Sequence, residues 1–394
     1  MKTSGNLLAG IDTRFAVWVG VLSILVIGGL IGAYQILVRT EAPVLEWGIL
    51  LPGYMFCALT ATGISLVNSI LTVFNVERFV PVIKRGIWIS LIFIVPFGIF
   101  VILDLGRPTH ILNLYMFFNS TARMAWMGVI DFTFVAALIL QLVIIIKREH
   151  VPRWIQLLIS IIVMVAAIGV QTNLGALFGG ISAKPLWANN LLPFNFFILA
   201  VTLGLCFHIL FMSAVNLYKN GTIPQTLQTL FHKNYRPLII GLIIVNFILI
   251  ITKLIPGLFS SDTSSHMILL VAGPYSLLFW GLTVLVGGVL PLVILIRRNT
   301  RNSSRWLIGA SALAIVGVFY TLYSFLIAGQ SIGSILSDSS VFYFPDVWEI
   351  LLVGGALSLG LLLYLFGEIL LPLEPGEKPR WFIFFKRSLS TPEE

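Results

Sequence analysis

The segment WGILLPGYMFCALTATGISLVNSILTV, residues 47–73, contains no Asp, Glu, Lys or Arg. A helix of about 20 apolar residues crosses the hydrocarbon core of a bilayer, which is roughly 30 Å thick. A helix also satisfies its backbone hydrogen bonds within itself, as lipid requires, and the segment lacks the alternating pattern of a barrel strand. This segment therefore predicts a transmembrane helix.

The rest of the chain has the same character, since 58% of its residues are hydrophobic and only 10% are charged. Soluble domains have about a quarter of their residues charged, so we predict an all-α integral membrane protein with one membrane domain, residues 1–394. The ten predicted spans are residues 15–38, 47–73, 84–103, 125–147, 153–178, 192–217, 237–259, 267–296, 306–328 and 346–371. The eighth contains Pro274, Gly287, Gly288 and Pro291, so we expect it to tilt or kink.

The basic residues lie mostly on one side of these spans. Of the 24 Lys and Arg residues, 19 fall on the side of the N-terminus, and the other side has Arg39, Arg107, Arg123, Lys184 and Lys253. Cytoplasmic loops of membrane proteins are enriched in Lys and Arg. We therefore predict a cell-membrane location, cytoplasmic termini and a cytoplasmic tail over residues 372–394. The net charge of +8 is explained by this bias, without nucleic-acid binding.

An internal repeat relates two groups of four spans. LLPGYMFCALTATG (residues 50–63) aligns with LLPFNFFILAVTLG (191–204), LQLVIIIKR (140–148) with LPLVILIRR (290–298), and RW (153–154) with RW (305–306). Equivalent segments are four spans apart, so the pattern predicts two parallel four-helix units, residues 47–178 and 192–328, flanked by spans 1 and 10. Convergence of apolar sequences is the alternative that remains open.

Polar groups within or at the ends of the spans are candidate functional residues, because they are costly in lipid. Asp131 lies within the fourth span, whereas its repeat equivalent is Gly281. Asp131 either bonds a neighbouring helix or accepts a proton from a ligand. Asp104, Arg107 and His110 lie at the outer end of the third span, where an ion pair within the loop is the alternative to a pocket.

Metal and haem sites are not predicted. Cys57 and Cys206 both lie within apolar runs, and no CxxC motif is present for an iron–sulfur cluster or haem c. His208 is the only histidine well inside a span, and a transmembrane haem b needs two axial ligands on facing helices. We expect His208 to bond a backbone carbonyl.

Several segments together resemble one family. They are ATG (residues 61–63), DLGRP (104–108), NSTARMAW (119–126), KPLW (184–187) and YFPDVWE (343–349). These segments are similar to those of the NrfD/PsrC-type (polysulfide reductase) membrane subunits of respiratory oxidoreductases. The last segment resembles the ten-helix branch, which includes membrane subunits of hydrogenase and sulfite-reduction-associated complexes. The family often has a histidine near the outer end of the fifth span, where this chain has QTN (171–173).

The resemblance implies a membrane-anchor subunit that exchanges electrons between the quinone pool and an extracytoplasmic, ferredoxin-like iron–sulfur subunit. Menaquinone or ubiquinone would be the substrate, and the chain itself would hold no redox cofactor and no catalytic centre of the complex. Further redox subunits and membrane lipids are the other expected partners, and nucleic acid is not expected.

By position in the family, the quinone pocket is expected at Tyr54, Arg107, His110, Asp131 and Gln171. Tyr54 or His110 would donate a hydrogen bond to a quinone carbonyl, and Asp131 and Asp104 would accept protons as the catalytic residues. The main alternative is a secondary transporter with two parallel repeats. A di-haem cytochrome b ranks third.

Overall fold

The computed structural model describes residues 13–39, 45, 47–74, 80–105, 108–147, 150–184, 186–260, 263–300, 302–331, 343–371 and 373. Every regular element within them is helical. The α-helices are α1 (Thr13–Leu37), α2 (Leu50–Val73), α3 (Val80–Asp104), α4 (Asn113–Met116), α5 (Arg123–Ile146), α6 (Arg153–Gly179), α7 (Leu192–Asn220), α8 (Gln225–Thr229), α9 (Arg236–Phe259), α10 (Ser264–Val271), α11 (Leu290–Ile296), α12 (Ser304–Ser331) and α13 (Val347–Leu370).

Ten helical segments among the described residues are long and apolar enough to cross a membrane, which confirms the predicted number of spans and the all-α fold. Eight of them begin and end within a few residues of the prediction. The seventh begins earlier, because α8 and the π-helical turn Leu230–Tyr235 continue directly into α9. The predicted tail, residues 372–394, lies outside the described residues except for Leu373.

The eighth span departs most from the prediction. It begins at Leu277, and not at residue 267, because α10 is a separate helix. The chain breaks at Gly273 and Pro274, since proline lacks a backbone N–H and disfavours helix in the residue before it. Beyond the break, Leu277–Val289 is π-helical and leads into α11. The expected kink is therefore a break that precedes the span.

The first and last spans form one compact unit of the chain. The helices α1 and α13 are antiparallel, and a Cβ on Gly29 would lie 2.6 Å from the Cα of Gly355. Small residues allow helix backbones to approach this closely in a membrane. Asp346 caps α13 by accepting from the Glu349 N–H at 2.8 Å, and it forms an ion pair with Arg39 at 3.0 Å.

The other unit, residues 43–344, is built around α2 and α7. Residues 50–69 of α2 are buried, and α2 packs on α3, α6, α7 and α12. The helices α2 and α7 cross at two glycines: a Cβ on Gly63 would collide with the Ala200 carbonyl oxygen, and a Cβ on Gly204 with the Gly63 backbone. Gly63 and Gly204 are equivalent in the predicted repeat, which itself stays a prediction.

One end of this unit is fastened by hydrogen bonds between distant segments. Gln330 accepts from the Trp47 N–H at 3.1 Å and donates to the Trp47 carbonyl at 2.9 Å. The Ile49 N–H donates to the Tyr343 hydroxyl at 2.8 Å. The described loops and helix ends here carry Arg123, Lys184 and Lys253, which belong to the side of the membrane with few basic residues, so we call this the charge-poor end. Here α2, α5 and α7 begin, and α3, α6, α9 and α12 end.

Candidate functional site

Tyr54 lies in the first turns of α2, near the charge-poor end, and its side chain is buried. Its ring makes an edge-on contact with Phe97 of α3, with the ring centroids 6.0 Å apart. A Cβ on the neighbouring Gly53 would lie 3.2 Å from the Phe100 ring, so the absence of a side chain at residue 53 allows α3 to pack closely here. The packing of α2 on α3 thus fixes the position of the Tyr54 phenol.

Two carboxylates lie near this phenol. Asp104 is the last residue of α3, and Asp131 is about two turns into α5. Both are close enough for their charges to act on the Tyr54 hydroxyl. Neither forms a salt bridge or hydrogen bond with another residue in the described part of the chain. The structure therefore brings together three of the predicted site residues, which supply one hydroxyl donor and two carboxyl acceptors.

Gln171 lies about two turns before the end of α6 and is fully buried. Its amide oxygen and nitrogen both lack a hydrogen-bond partner among the described residues. Leaving such a group unsatisfied costs about 1–3 kcal/mol, and it often marks the place of a water molecule or ligand. Gln171 makes no described hydrogen bond with Tyr54, Asp104 or Asp131, so its membership of the same site stays a prediction.

His110 occupies a 3₁₀ turn, Pro108–Leu112, and its side chain is exposed. No described contact connects it with Tyr54 or the carboxylates. The short helix α4, which follows this turn, is held to α5 by Tyr115, whose hydroxyl donates to the Gly128 carbonyl at 3.0 Å. Arg107 lies outside the described residues, so its predicted ion pair with Asp104 and its predicted place in the pocket are untested.

Trp187, a residue of the KPLW segment, has a packing role that was not predicted from the sequence. Trp187 is 1% exposed and stacks on Trp47, with the ring centroids 6.1 Å apart and an interplanar angle of 18°. Its indole N–H donates to the Phe325 carbonyl at 3.2 Å, and a Cβ on Gly329 would collide with its ring. Trp187, in the connection between α6 and α7, therefore packs against Trp47 and α12 at the charge-poor end.

Arg123, which contributes to the charge bias and to the NSTARMAW segment, also has a structural role. Its guanidinium donates to the Ala176 carbonyl at 2.6 Å, in the last turn of α6. A cation there interacts favourably with the unpaired carbonyls at the end of the helix. The Arg123 carbonyl in turn accepts from the Asn173 side chain at 3.3 Å. This pairing fastens the beginning of α5, the helix that carries Asp131, to α6.

The predicted hydrogen bond between His208 and a backbone carbonyl was wrong. Its Nδ1 lies 3.2 Å from the Tyr235 hydroxyl, and not beside a backbone carbonyl. The π-helical turn before α9 buries Tyr235, which brings the phenol against α7. In the ranges that the structure describes, no three His, Cys, Asp or Glu side chains lie together in a way that could hold a metal ion.

Comparisons with known proteins agree with the resemblance predicted from the sequence. The model of the NrfD family, described as polysulphide reductase, matches residues 38–333. The chain is 24% identical over 347 residues to the Hdr-like menaquinol oxidoreductase integral membrane subunit of Archaeoglobus fulgidus, covering 84% of this chain and 85% of that protein. It is 20% identical over 312 residues to a selenate reductase subunit of Mesobacillus selenatarsenatis, covering 69% and 70%.

The family match extends from the end of α1 to just beyond α12, and it includes every residue predicted for the site. It agrees with the ten apolar helices, which are those of a multi-pass integral membrane protein. The chain belongs to the NrfD (polysulphide reductase) family.

Proposed function

We propose that this chain is the quinone-interacting membrane subunit of a multi-subunit respiratory oxidoreductase. The grouping of Tyr54, Asp104 and Asp131 is the observation that carries this proposal, because it supplies hydrogen-bond donors and proton acceptors at one place within the bundle. The names of two relatives support it, since one is a menaquinol oxidoreductase integral membrane subunit and the other a selenate reductase subunit. Menaquinone is accordingly the first substrate to test.

The chemistry at the site follows from what a quinol releases. Oxidation of a quinol to a quinone yields two electrons and two protons. Asp131 and Asp104 accept the protons, while the Tyr54 hydroxyl donates a hydrogen bond to the quinone oxygen. His110, Arg107 and the unsatisfied amide of Gln171 complete the proposed pocket. In the reverse direction the same groups return protons to the reduced quinone.

The electrons pass to or from an iron–sulfur subunit that docks outside the cytoplasm. The charge-poor end faces that side, and both termini lie in the cytoplasm, because the Lys and Arg bias of 19 against 5 follows the rule for cytoplasmic loops. The proposed pocket and the docking surface then lie on the same side of the cell membrane. This arrangement shortens the path between quinone and cluster.

The test is to purify the chain from its native membrane in a mild detergent and to identify the proteins that accompany it. We expect an iron–sulfur protein in the complex, and we expect added menaquinol to reduce its clusters, as followed by absorbance. A chain that purifies alone and transports a solute in proteoliposomes would contradict the proposal and favour the secondary transporter.

A further inference from the structure

A cavity lies at the charge-poor end of α7, α9 and α12, and none of the residues predicted to bind quinone lines it. Helix α10 and the π-helical segment Leu277–Val289 complete its walls. Most of its lining is apolar, as represented by Leu199, Leu249, Ile250, Met267 and Phe279. These side chains form a surface suited to a hydrocarbon chain.

Six polar side chains also line this cavity, and the side chains of Asn189, Asn195 and Thr321 are hydrogen-bonded. The other three are Lys253, Thr283 and Ser324. The Lys253 ammonium nitrogen and the two hydroxyl oxygens are buried, and none of them has a hydrogen-bond partner among the described residues. The ammonium lies over the Phe325 ring, whose centroid is 3.7 Å away. That cation–π contact stabilises the charge but leaves the three N–H donors of the ammonium unused.

The charges at this cavity favour an anionic ligand over a second quinol. None of the described residues that line the cavity is Asp or Glu, so none of them supplies a carboxylate that balances the charge of Lys253. An unbalanced ammonium is unfavourable within a membrane, and an anion would offset its charge. Oxidation of a quinol would also need a proton acceptor, which Asp104 and Asp131 supply at the site beside Tyr54 and which this lining does not supply.

A second, smaller cavity adjoins this one and shares Leu199, Thr283 and Thr321 with it. Thr283 belongs to the π-helical segment, and π-helical turns often occur at functional sites. Polar donors and apolar side chains therefore adjoin each other in the lining of the first cavity, as the head and tail of an amphiphile require.

We propose that this cavity binds the phosphate head group of an anionic membrane lipid. Lys253 balances the charge of the phosphate, Thr283 and Ser324 donate hydrogen bonds to its oxygens, and an acyl chain lies along the apolar wall. Free phosphate offers the same oxygens without the acyl chain, so the two sources can be distinguished by experiment. The proposal does not depend on quinone binding at Tyr54.

The experiment is native mass spectrometry of the purified complex after its lipids have been exchanged for neutral detergent. Phosphatidylglycerol, phosphatidylcholine and inorganic phosphate are titrated separately. We expect one phosphatidylglycerol to bind per chain, more tightly than phosphatidylcholine, and free phosphate to bind weakly. Lys253→Met should weaken phosphatidylglycerol binding about tenfold, as expected for the loss of a charge-assisted hydrogen bond. Lys253→Arg should keep the affinity.

The matched control is Lys147→Met, which removes an exposed lysine after the end of α5 and should leave lipid binding unchanged. Thr283→Val preserves the side-chain shape and tests the same cavity if Lys253→Met does not assemble. Equal affinities for the two lipids would overturn the proposal. So would wild-type affinity in both cavity variants, or phosphate binding as tight as that of phosphatidylglycerol.

Discussion

Gly63 of α2 and Gly204 of α7 lie backbone against backbone, so that a Cβ on either glycine would collide with the other helix. Both helices are largely buried within their unit, and the crossing fixes the distance between them. Tyr54 lies on α2, nearer the charge-poor end than this crossing. The position of the candidate site therefore depends on these two glycines.

We expect Gly63→Ala to lower the thermal midpoint of the purified protein. The added methyl group would strike the Ala200 carbonyl, and overpacking of this kind costs about 1–3 kcal/mol. The measurement is thermal unfolding in detergent, followed by circular dichroism or by retention of a monodisperse peak. Gly98→Ala in α3 is the control, because a Cβ there meets no atom within 4 Å. Equal midpoints for the two variants would contradict the close crossing.

We expect Asp131→Asn to slow quinol-linked electron transfer in the assembled complex about 100-fold, the usual contribution of a positioned proton acceptor. The amide preserves the shape of the side chain but does not accept the proton. Steady-state reduction of the acceptor by menaquinol measures the effect. Glu368→Gln removes another carboxyl within a span, one that bonds Tyr364, and should leave the rate unchanged. A wild-type rate in Asp131→Asn would remove this residue from the mechanism.

We expect Tyr54→Phe to weaken quinone binding about fivefold, as the loss of one neutral hydrogen bond of about 1 kcal/mol implies. The edge-on contact with Phe97 does not involve the hydroxyl, so assembly should be unaffected. The KM for menaquinol, measured beside the thermal midpoint, separates the two effects. An unchanged KM would show that the hydroxyl does not bind the quinone.

We expect Gln330→Ala to destabilise the protein by about 1–3 kcal/mol, because the Trp47 N–H and carbonyl would both lose their partner. A lower thermal midpoint would show this. Gln225→Ala, which removes an exposed amide at the start of α8, provides the comparison. If both variants melt at the same temperature, the bonds between Trp47 and Gln330 do not hold the charge-poor end together.

The sequence predicted the spans well because hydropathy depends on the local run of residues alone. The family resemblance also predicts that Tyr54, Asp104 and Asp131 belong to one site; each lies near the same end of its span, and their shared role stays a prediction. The break at Pro274 was expected as a kink, but hydropathy cannot separate α10 from the span that follows, because both are apolar. Convergence and a true repeat also give the same apolar sequences, so the internal repeat stays a prediction.

Contacts between distant segments could not be predicted in the same way. The stacking of Trp187 on Trp47 and the bond from Ile49 to Tyr343 depend on how the helices pack. Lys253 was predicted only as one basic residue on the minority side, and its place in a cavity follows from the ends of α9 and α12. Gln171 was identified from family position, but its unsatisfied amide depends on which helices surround it.

The pairing of α1 with α13 has a consequence for biogenesis. The helix α1 leaves the ribosome before α13, with the whole of residues 43–344 between them. The glycine face of α1, at Gly29 and Gly32, therefore stays without its partner while those residues are synthesised. A product that terminates before α13 would expose an unpaired glycine face to the quality-control proteases of the membrane.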